Sequence, residues 1–137
     1  MTFEEAKKLL TDLRAAKRRA NAIKARIADL ESDYDSIQSS LGGDGTHSSM
    51  PASRVEQGAL RVQEEREKHI LALETYFSIE DKLADALDTL EPIERDIIVG
   101  CYMDGKYNWQ VGESVGYSIE SVKIFKRRAI KKIANSL

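Results

Sequence analysis

The 137-residue sequence is 42% hydrophobic and 32% charged, with two prolines and eight glycines, which is typical of a mostly helical protein with long exposed helices. No apolar run is long enough to span a bilayer, and the N-terminus lacks a signal-peptide core, so we expect a cytoplasmic protein without membrane contact. The single cysteine, Cys101, excludes a disulfide within one chain. His47 and His69 have no Cys or His neighbours at metal-ligand spacing, and we expect no metal and no cofactor.

The charge is small overall but unevenly distributed. The net charge at pH 7 is −2. Residues 1–91 carry 13 Lys and Arg against 18 Asp and Glu, whereas residues 92–137 carry eight against five. Six positive charges and no negative one fall between Lys123 and Lys132. This concentration of positive charge favours a nucleic-acid contact restricted to one part of the chain.

The first predicted element is a long helix that begins with a capping-box pattern, Thr2 followed by Glu5. Neither Pro nor Gly follows before about Ser40. The apolar residues recur at intervals of three and four, with one skip, which predicts a helix that pairs with another along its length. They are Phe3, Ala6, Leu10, Leu13, Ala16, Ala20, Ile23, Ile27, Leu30, Tyr34, Ile37 and Leu41.

A second long helix is predicted over residues 52–90, after a loop near residues 41–51. Residues 42–51 read GGDGTHSSMP, and this composition predicts a mobile, dispensable loop. The apolar stripe of the second helix is interrupted by Arg66, His69 and Glu80. Two helices of similar length joined by a short loop predict a long antiparallel hairpin, a coiled coil, over residues 1–90. Because such a hairpin buries little area per residue, we expect a homodimer through the long helices.

Residues 91–137 are predicted to form a separate three-to-four-helix domain, so the whole chain belongs to the all-α class. Pro92 starts a helix over residues 92–104, which Gly105 closes. Residues 108–128 read NWQVGESVGYSIESVKIFKRR and predict two short helices joined by a tight turn. Gly112 lies where the helices cross closely, and Gly116 supplies the positive φ of the turn. Further predictions are an N-cap at Ser118 and a core of Val111, Val115, Val122 and Phe125, completed by Trp109 and Tyr117.

A basic helix that follows such a turn is the arrangement that enters the DNA major groove. The alternative interpretation is an ordinary helix hairpin with its lysines on a solvated face, since helix-turn-helix geometry also serves other roles.

Residues 87–137 resemble the fourth region of bacterial sigma factors, which reads the upstream promoter element. The matching features are Leu87 and Leu90 before Pro92, the run Ile93 to Ile98, Tyr102, Gly105, Trp109, the turn from Val111 to Gly116, Ser118 to Val122, and the ending Arg128 to Ile133. Gly112 replaces the alanine usual in that family. A helical hairpin followed by such a domain is similar to small phage or prophage regulators of the RinA and ArpU type.

By analogy with that family, the first half of the basic helix lies nearest the base edges. The residues assigned to bases are Ile119, Glu120, Ser121, Lys123 and Ile124, although the two isoleucines occupy positions that are often polar there. The residues assigned to phosphates are Lys126, Arg127, Arg128, Lys131 and Lys132. The resemblance therefore implies double-stranded DNA as partner, and bacterial RNA polymerase as a further one.

Nothing in the sequence indicates catalysis, because it has neither a Gly-rich phosphate loop, nor a paired Cys/His set, nor a cysteine beside a plausible base. We therefore expect a non-enzyme, namely a sequence-specific DNA-binding transcription regulator encoded by a phage or prophage. Two alternatives remain open at this point. One is a phage structural or DNA-packaging adaptor, and the other is a coiled-coil protein-interaction module.

Overall fold

The computed structural model describes residues 1–41 and 52–137, which form helices without any β-strand in those ranges. The helices are α1 Phe3–Leu41, α2 Ala52–Asp88, α3 Pro92–Ile98, α4 Asn108–Val115 and α5 Ile119–Ser136, with a π-helical segment Val99–Met103 directly after α3. The predicted all-α architecture, a long helix pair followed by a small helical domain, is confirmed. The predicted loop over residues 42–51 lies outside the described residues.

Both long helices begin and end close to the predicted positions, and the start of α1 shows why. The Thr2 amide donates to Glu5 Oε2 at 3.1 Å, and the Glu5 amide donates to Thr2 Oγ1 at 3.2 Å. This is the predicted capping box, which satisfies two amides that a helix N-terminus otherwise leaves without partners.

Contacts divide the chain into two compact units, of which the first covers residues 19–73. Its apolar core is small and consists of Ala20, Ile23 and Ala72, with Ile27 and Leu73 packed against it. Two ion pairs join the helices outside that core, Arg26 to Glu65 at 3.3 Å and Arg66 to Glu31 at 2.5 Å. The arginine of each pair is more than half exposed to solvent, so each pair contributes little to stability.

The second unit consists of residues 1–18 and 74–137. Its core is continuous from the start of α1, through the end of α2, to α3, α4 and α5. Lys17 Nζ lies 4.9 Å from the centroid of the Tyr76 ring, so α1 contacts α2 in this unit. The predicted domain boundary at residues 90 and 91 stays a prediction, while the contacts group the first turns of α1 with the C-terminal helices.

The helix predicted over residues 92–104 changes character halfway. After α3, the Asp104 amide donates to the Val99 carbonyl at 2.9 Å, an i to i+5 bond that defines a π-helical turn. Gly100 lies in this turn against α4, where an added Cβ would be only 2.9 Å from Val111 Cγ2. Gly105 ends the segment with φ 68°, as predicted. The backbone at Gly100, within the wider turn, thus packs closely against Val111 of α4.

The predicted homodimer and coiled coil stay predictions. Leu60 and Ile70 on α2 are 58% and 56% exposed, so the single chain leaves large apolar side chains uncovered. None of the described helices combines the length and the apolar character needed to cross a membrane.

Candidate nucleic-acid interface

Helices α4 and α5 are joined by a three-residue turn whose geometry depends on two glycines. Gly116 has φ 79° and ψ 29°, a left-handed conformation that glycine adopts at little cost. The amides of Gly116 and Tyr117 both donate to the Gly112 carbonyl, at 2.9 and 3.0 Å. The predicted role of Gly116 is therefore confirmed.

Gly112 on α4 packs closely against both the turn and α5. A Cβ added there would lie 2.7 Å from the Tyr117 carbonyl oxygen and 3.5 Å from Val122 Cγ2. Such a distance to a backbone atom requires the turn to shift. The prediction that only a very small side chain fits at residue 112 is therefore confirmed.

Ser118 caps α5, as predicted. Its Oγ accepts from the Ser121 amide at 3.2 Å, and the two hydroxyl groups are 3.1 Å apart with Ser118 as donor. Ser121, which the sequence assigns to base contact, is thus half-buried with its hydroxyl engaged in the cap.

One face of α5 is buried and the opposite face is open. The buried residues are Val122, Ala129, Ile130, Ile133 and Ala134. The exposed residues before the last turn are Ile119, Glu120, Lys123, Ile124, Arg127, Arg128 and Lys131. Four of the five residues predicted to contact bases thus share the open face, with Ile119 and Ile124 exposed by 45% and 58%. Their contact with bases stays a prediction.

The residues predicted to contact phosphates differ in their exposure and in their partners. Arg127, Arg128 and Lys131 are exposed, and the Arg128 guanidinium also lies 5.7 Å from the Phe125 ring centroid. Lys126 is half-buried, with Nζ 3.4 Å from Asn108 Oδ1 and 5.0 Å from the Tyr102 ring centroid. Lys132 differs from all of them because it forms an ion pair.

The partner of Lys132 is Glu94 on α3, a carboxylate with no solvent exposure. Glu94 Oε1 accepts from Lys132 Nζ at 2.5 Å and from the Glu91 amide at 3.2 Å, and Oε2 has no hydrogen-bond partner among the described residues. A buried carboxylate needs such a cation, because an unpaired buried charge is strongly destabilising. Lys132 therefore joins α5 to α3, a role that the sequence analysis missed.

The prediction that Trp109 and Tyr117 complete the core is wrong. Trp109 is 51% exposed and Tyr117 is 45% exposed. Trp109 is two residues before the buried Val111, so the helical turn of about 200° places the two on opposite sides of α4. Tyr117 follows the left-handed Gly116. Its ring meets that of Phe125 in a T-shaped arrangement, with 5.1 Å between the centroids.

Burial changes the chemistry of two groups behind α4. Desolvation raises the pKa of the Cys101 thiol above its usual value, although the positive charges of Lys126 and Arg14 partly oppose the shift. Desolvation also raises the pKa of Tyr102, with a smaller contribution from Cys101. Cys101 Sγ lies 3.6 Å from Asn108 Oδ1. These groups support the core, and the described residues include no cluster of three or more His, Cys, Asp or Glu that could hold a metal.

The turn, the cap and the open basic face together define a helix-turn-helix domain. Residues 86–135 match the model of the family described as Sigma-70, region 4, so this part of the chain is a sigma region-4-like helix-turn-helix domain, a class that binds DNA. Residues 1–85 lie outside that match. No curated protein and no solved structure matches the chain.

Proposed function

We propose that the protein is a sequence-specific regulator of transcription that inserts α5 into the major groove of double-stranded DNA. The observation that carries this proposal is the open face of α5, where Lys123, Arg127 and Lys131 form no ion pair with any described residue. Positive side chains left without acidic partners on a helix-turn-helix are suited to DNA phosphates.

Base reading is assigned to the first two turns of α5. Glu120 can accept a hydrogen bond from a cytosine amino group, and Lys123 can donate to the acceptors of guanine. Ile119 and Ile124 can contact thymine methyl groups, which are the apolar features of the major groove. Ser121 has the weakest claim to a base because it is half-buried and its Oγ already accepts from Ser118.

Phosphate contact is assigned to Lys126, Arg127, Arg128 and Lys131. Each contact releases condensed counterions, so affinity depends steeply on salt. Lys132 was predicted to belong with these residues. We assign it the smallest contribution, because Glu94 neutralises its charge at 2.5 Å.

The finer parts of the proposal rest on resemblance. The family match concerns a region of sigma factors, which supports bacterial RNA polymerase as a second partner. The layout of a long helix pair before this domain supports a phage or prophage regulator of the RinA and ArpU type, acting in the cytoplasm. The exposed Leu60 and Ile70 on α2 support a homodimer.

The test is selection of binding sites from random duplex DNA with the purified protein at two salt concentrations. We expect a defined motif, with affinity that falls as salt rises. Recovery of no motif together with no binding at low salt would reject the proposal and favour a protein-interaction module. Ring-shaped assemblies larger than a dimer would favour a phage packaging adaptor.

Two variants refine the test. Glu120→Ala should alter the preferred base at one position, by roughly 1–3 kcal/mol of discrimination. Lys131→Ala should weaken binding to all sequences alike and lower the salt slope by about 0.9. If Glu120→Ala left the motif unchanged, Glu120 would be a surface residue, and base reading would have to be reassigned.

A further inference from the structure

A cavity of about 340 Å³ lies between the first two turns of α1 and the basic helix α5. Its lining includes four cationic side chains, those of Lys7, Lys123, Lys126 and Arg127. Tyr102 and Ile130 supply part of its apolar wall. Lys7 comes from α1 and lies outside the helix-turn-helix domain.

The positive side chains around this cavity have no acidic partner in its lining. No Asp or Glu belongs to its lining, and neither Lys7, Lys123 nor Arg127 forms an ion pair with a described residue. Four cations around one concavity repel each other, and an anion between them would remove that repulsion.

One side of the cavity is already organised for an anion. Lys126 Nζ is held by Asn108 Oδ1 at 3.4 Å and lies over the Tyr102 ring. Asn108 lines the same cavity, and its side-chain NH2 group keeps two donors because only the oxygen accepts from Lys126. A phosphate group would find both charge and hydrogen-bond donors here.

We propose that this cavity binds a phosphate group of the DNA backbone, and that Lys7 thereby extends the DNA interface beyond the helix-turn-helix domain. The proposal rests on the proposed function. Three of the four cations lie on α5, whose open face is assigned to DNA, so a backbone beside the major groove is the phosphate source within reach. The N-terminal helix then contributes directly to DNA affinity, in addition to its packing role.

The experiment measures binding of a fluorescein-labelled duplex by anisotropy over a series of salt concentrations. It compares the full chain with Lys7→Ala and with Lys8→Ala, an exposed neighbour outside the cavity lining. We expect Lys7→Ala to lower the salt slope by about 0.9, so its defect grows about eightfold for each tenfold dilution of salt. Lys7→Arg should restore most of the slope. Lys8→Ala should change it much less.

Lys131→Ala separates the failure of this inference from the failure of the proposed function. If Lys131→Ala weakens binding and Lys7→Ala does not, the cavity takes no backbone phosphate, while DNA binding by α5 stands. If both variants bind as the parent does, the cavity's role fails and Lys131 is removed from the phosphate contacts. Only a parent protein that binds no DNA at low salt would reject the proposed function as well. Equal losses for Lys7→Ala and Lys8→Ala would show a general charge effect and overturn the cavity's role.

A second arm distinguishes the source of the phosphate. Inorganic phosphate is titrated into the protein without DNA while thermal unfolding is recorded, with chloride at matched ionic strength as control. Phosphate stabilisation that Lys7→Ala abolishes, together with unchanged DNA binding of that variant, would assign the cavity to a free phosphate compound and overturn the proposal. Unchanged melting of Lys7→Ala relative to the parent, without phosphate, is the check that the variant folds.

Discussion

Replacement of Lys132 by methionine tests the structural role assigned to its ion pair with Glu94. Methionine keeps an unbranched side chain but removes the ammonium group. Glu94, which has no solvent exposure, would keep only the Glu91 amide, 3.2 Å from Oε1. Removing one partner of a buried pair costs about 3–5 kcal/mol. Because the Lys132 side chain is 37% exposed, water can partly replace it, and we expect about 3 kcal/mol.

Urea unfolding followed by circular dichroism measures this cost. A double-mutant cycle with Glu94→Gln isolates the pair, since Lys132→Met should cost much less when residue 94 is neutral. Lys131→Met is the matched control, because Lys131 is exposed and forms no ion pair with the described residues. It should change stability by less than about 0.5 kcal/mol. Equal costs of Lys132→Met in both backgrounds, or a cost as small as that of the control, would refute the reasoning.

Three further predictions concern the turn and the core behind it. Ser118→Ala should lower the free energy of unfolding by about 1 kcal/mol through loss of the α5 cap, and an unchanged urea midpoint would remove that role. Gly112→Ala places a Cβ 2.7 Å from the Tyr117 carbonyl oxygen, so the turn must shift, at a cost of about 1–3 kcal/mol. This cost should exceed the gain in helix propensity of about 1 kcal/mol, so the variant should be less stable. A variant more stable in urea would contradict the close packing at Gly112. Burial raises the pKa values of Cys101 and Tyr102, so the folded state holds these protons more tightly than the unfolded state. Their contribution to the free energy of unfolding should therefore be fully present below about pH 9 and should fall as the pH rises further. Equal urea midpoints of the parent at pH 8 and pH 10 would argue against this cause. So would a fall in the midpoint that is not reduced in Cys101→Ala.

The sequence predicts those features of the fold that local patterns determine. The capping box at Thr2 and Glu5, the left-handed Gly116 and the cap at Ser118 each involve residues within a few positions of one another. Their chemistry therefore restricts the backbone whatever the rest of the chain does. The helical periodicity likewise predicts α1 and α2, because it depends on spacing alone.

The features that were missed join residues far apart in the chain. Glu94 and Lys132 are 38 positions apart, and no spacing rule indicates that a surface-type residue such as Glu94 is fully buried. Lys7 and Lys126 are also far apart in the sequence, and they line one cavity because of the way α1 packs in the second unit. The exposure of Trp109 was predicted wrongly because residue type was given more weight than the position of Trp109 relative to Val111 on α4.

The π-helical segment differs from the continuous helix that the sequence predicts over residues 92–104. The run from Val99 to Met103 is apolar enough for an α-helix, and the periodicity does not distinguish the two forms. The contact between Gly100 and Val111 Cγ2 involves a separate helix. The wider turn is thus associated with tertiary packing, which a single-sequence pattern does not contain.

The two exposed isoleucines on α5 should give DNA binding a negative heat-capacity change that the lysines alone would not. Ile119 and Ile124 would leave water when they meet thymine methyl groups, and removal of apolar surface from water lowers the heat capacity. Calorimetry of the complex at several temperatures should therefore find a binding enthalpy that becomes more negative on warming. The part of the affinity that these two side chains supply would persist in concentrated salt, where the attraction between charged groups has largely vanished.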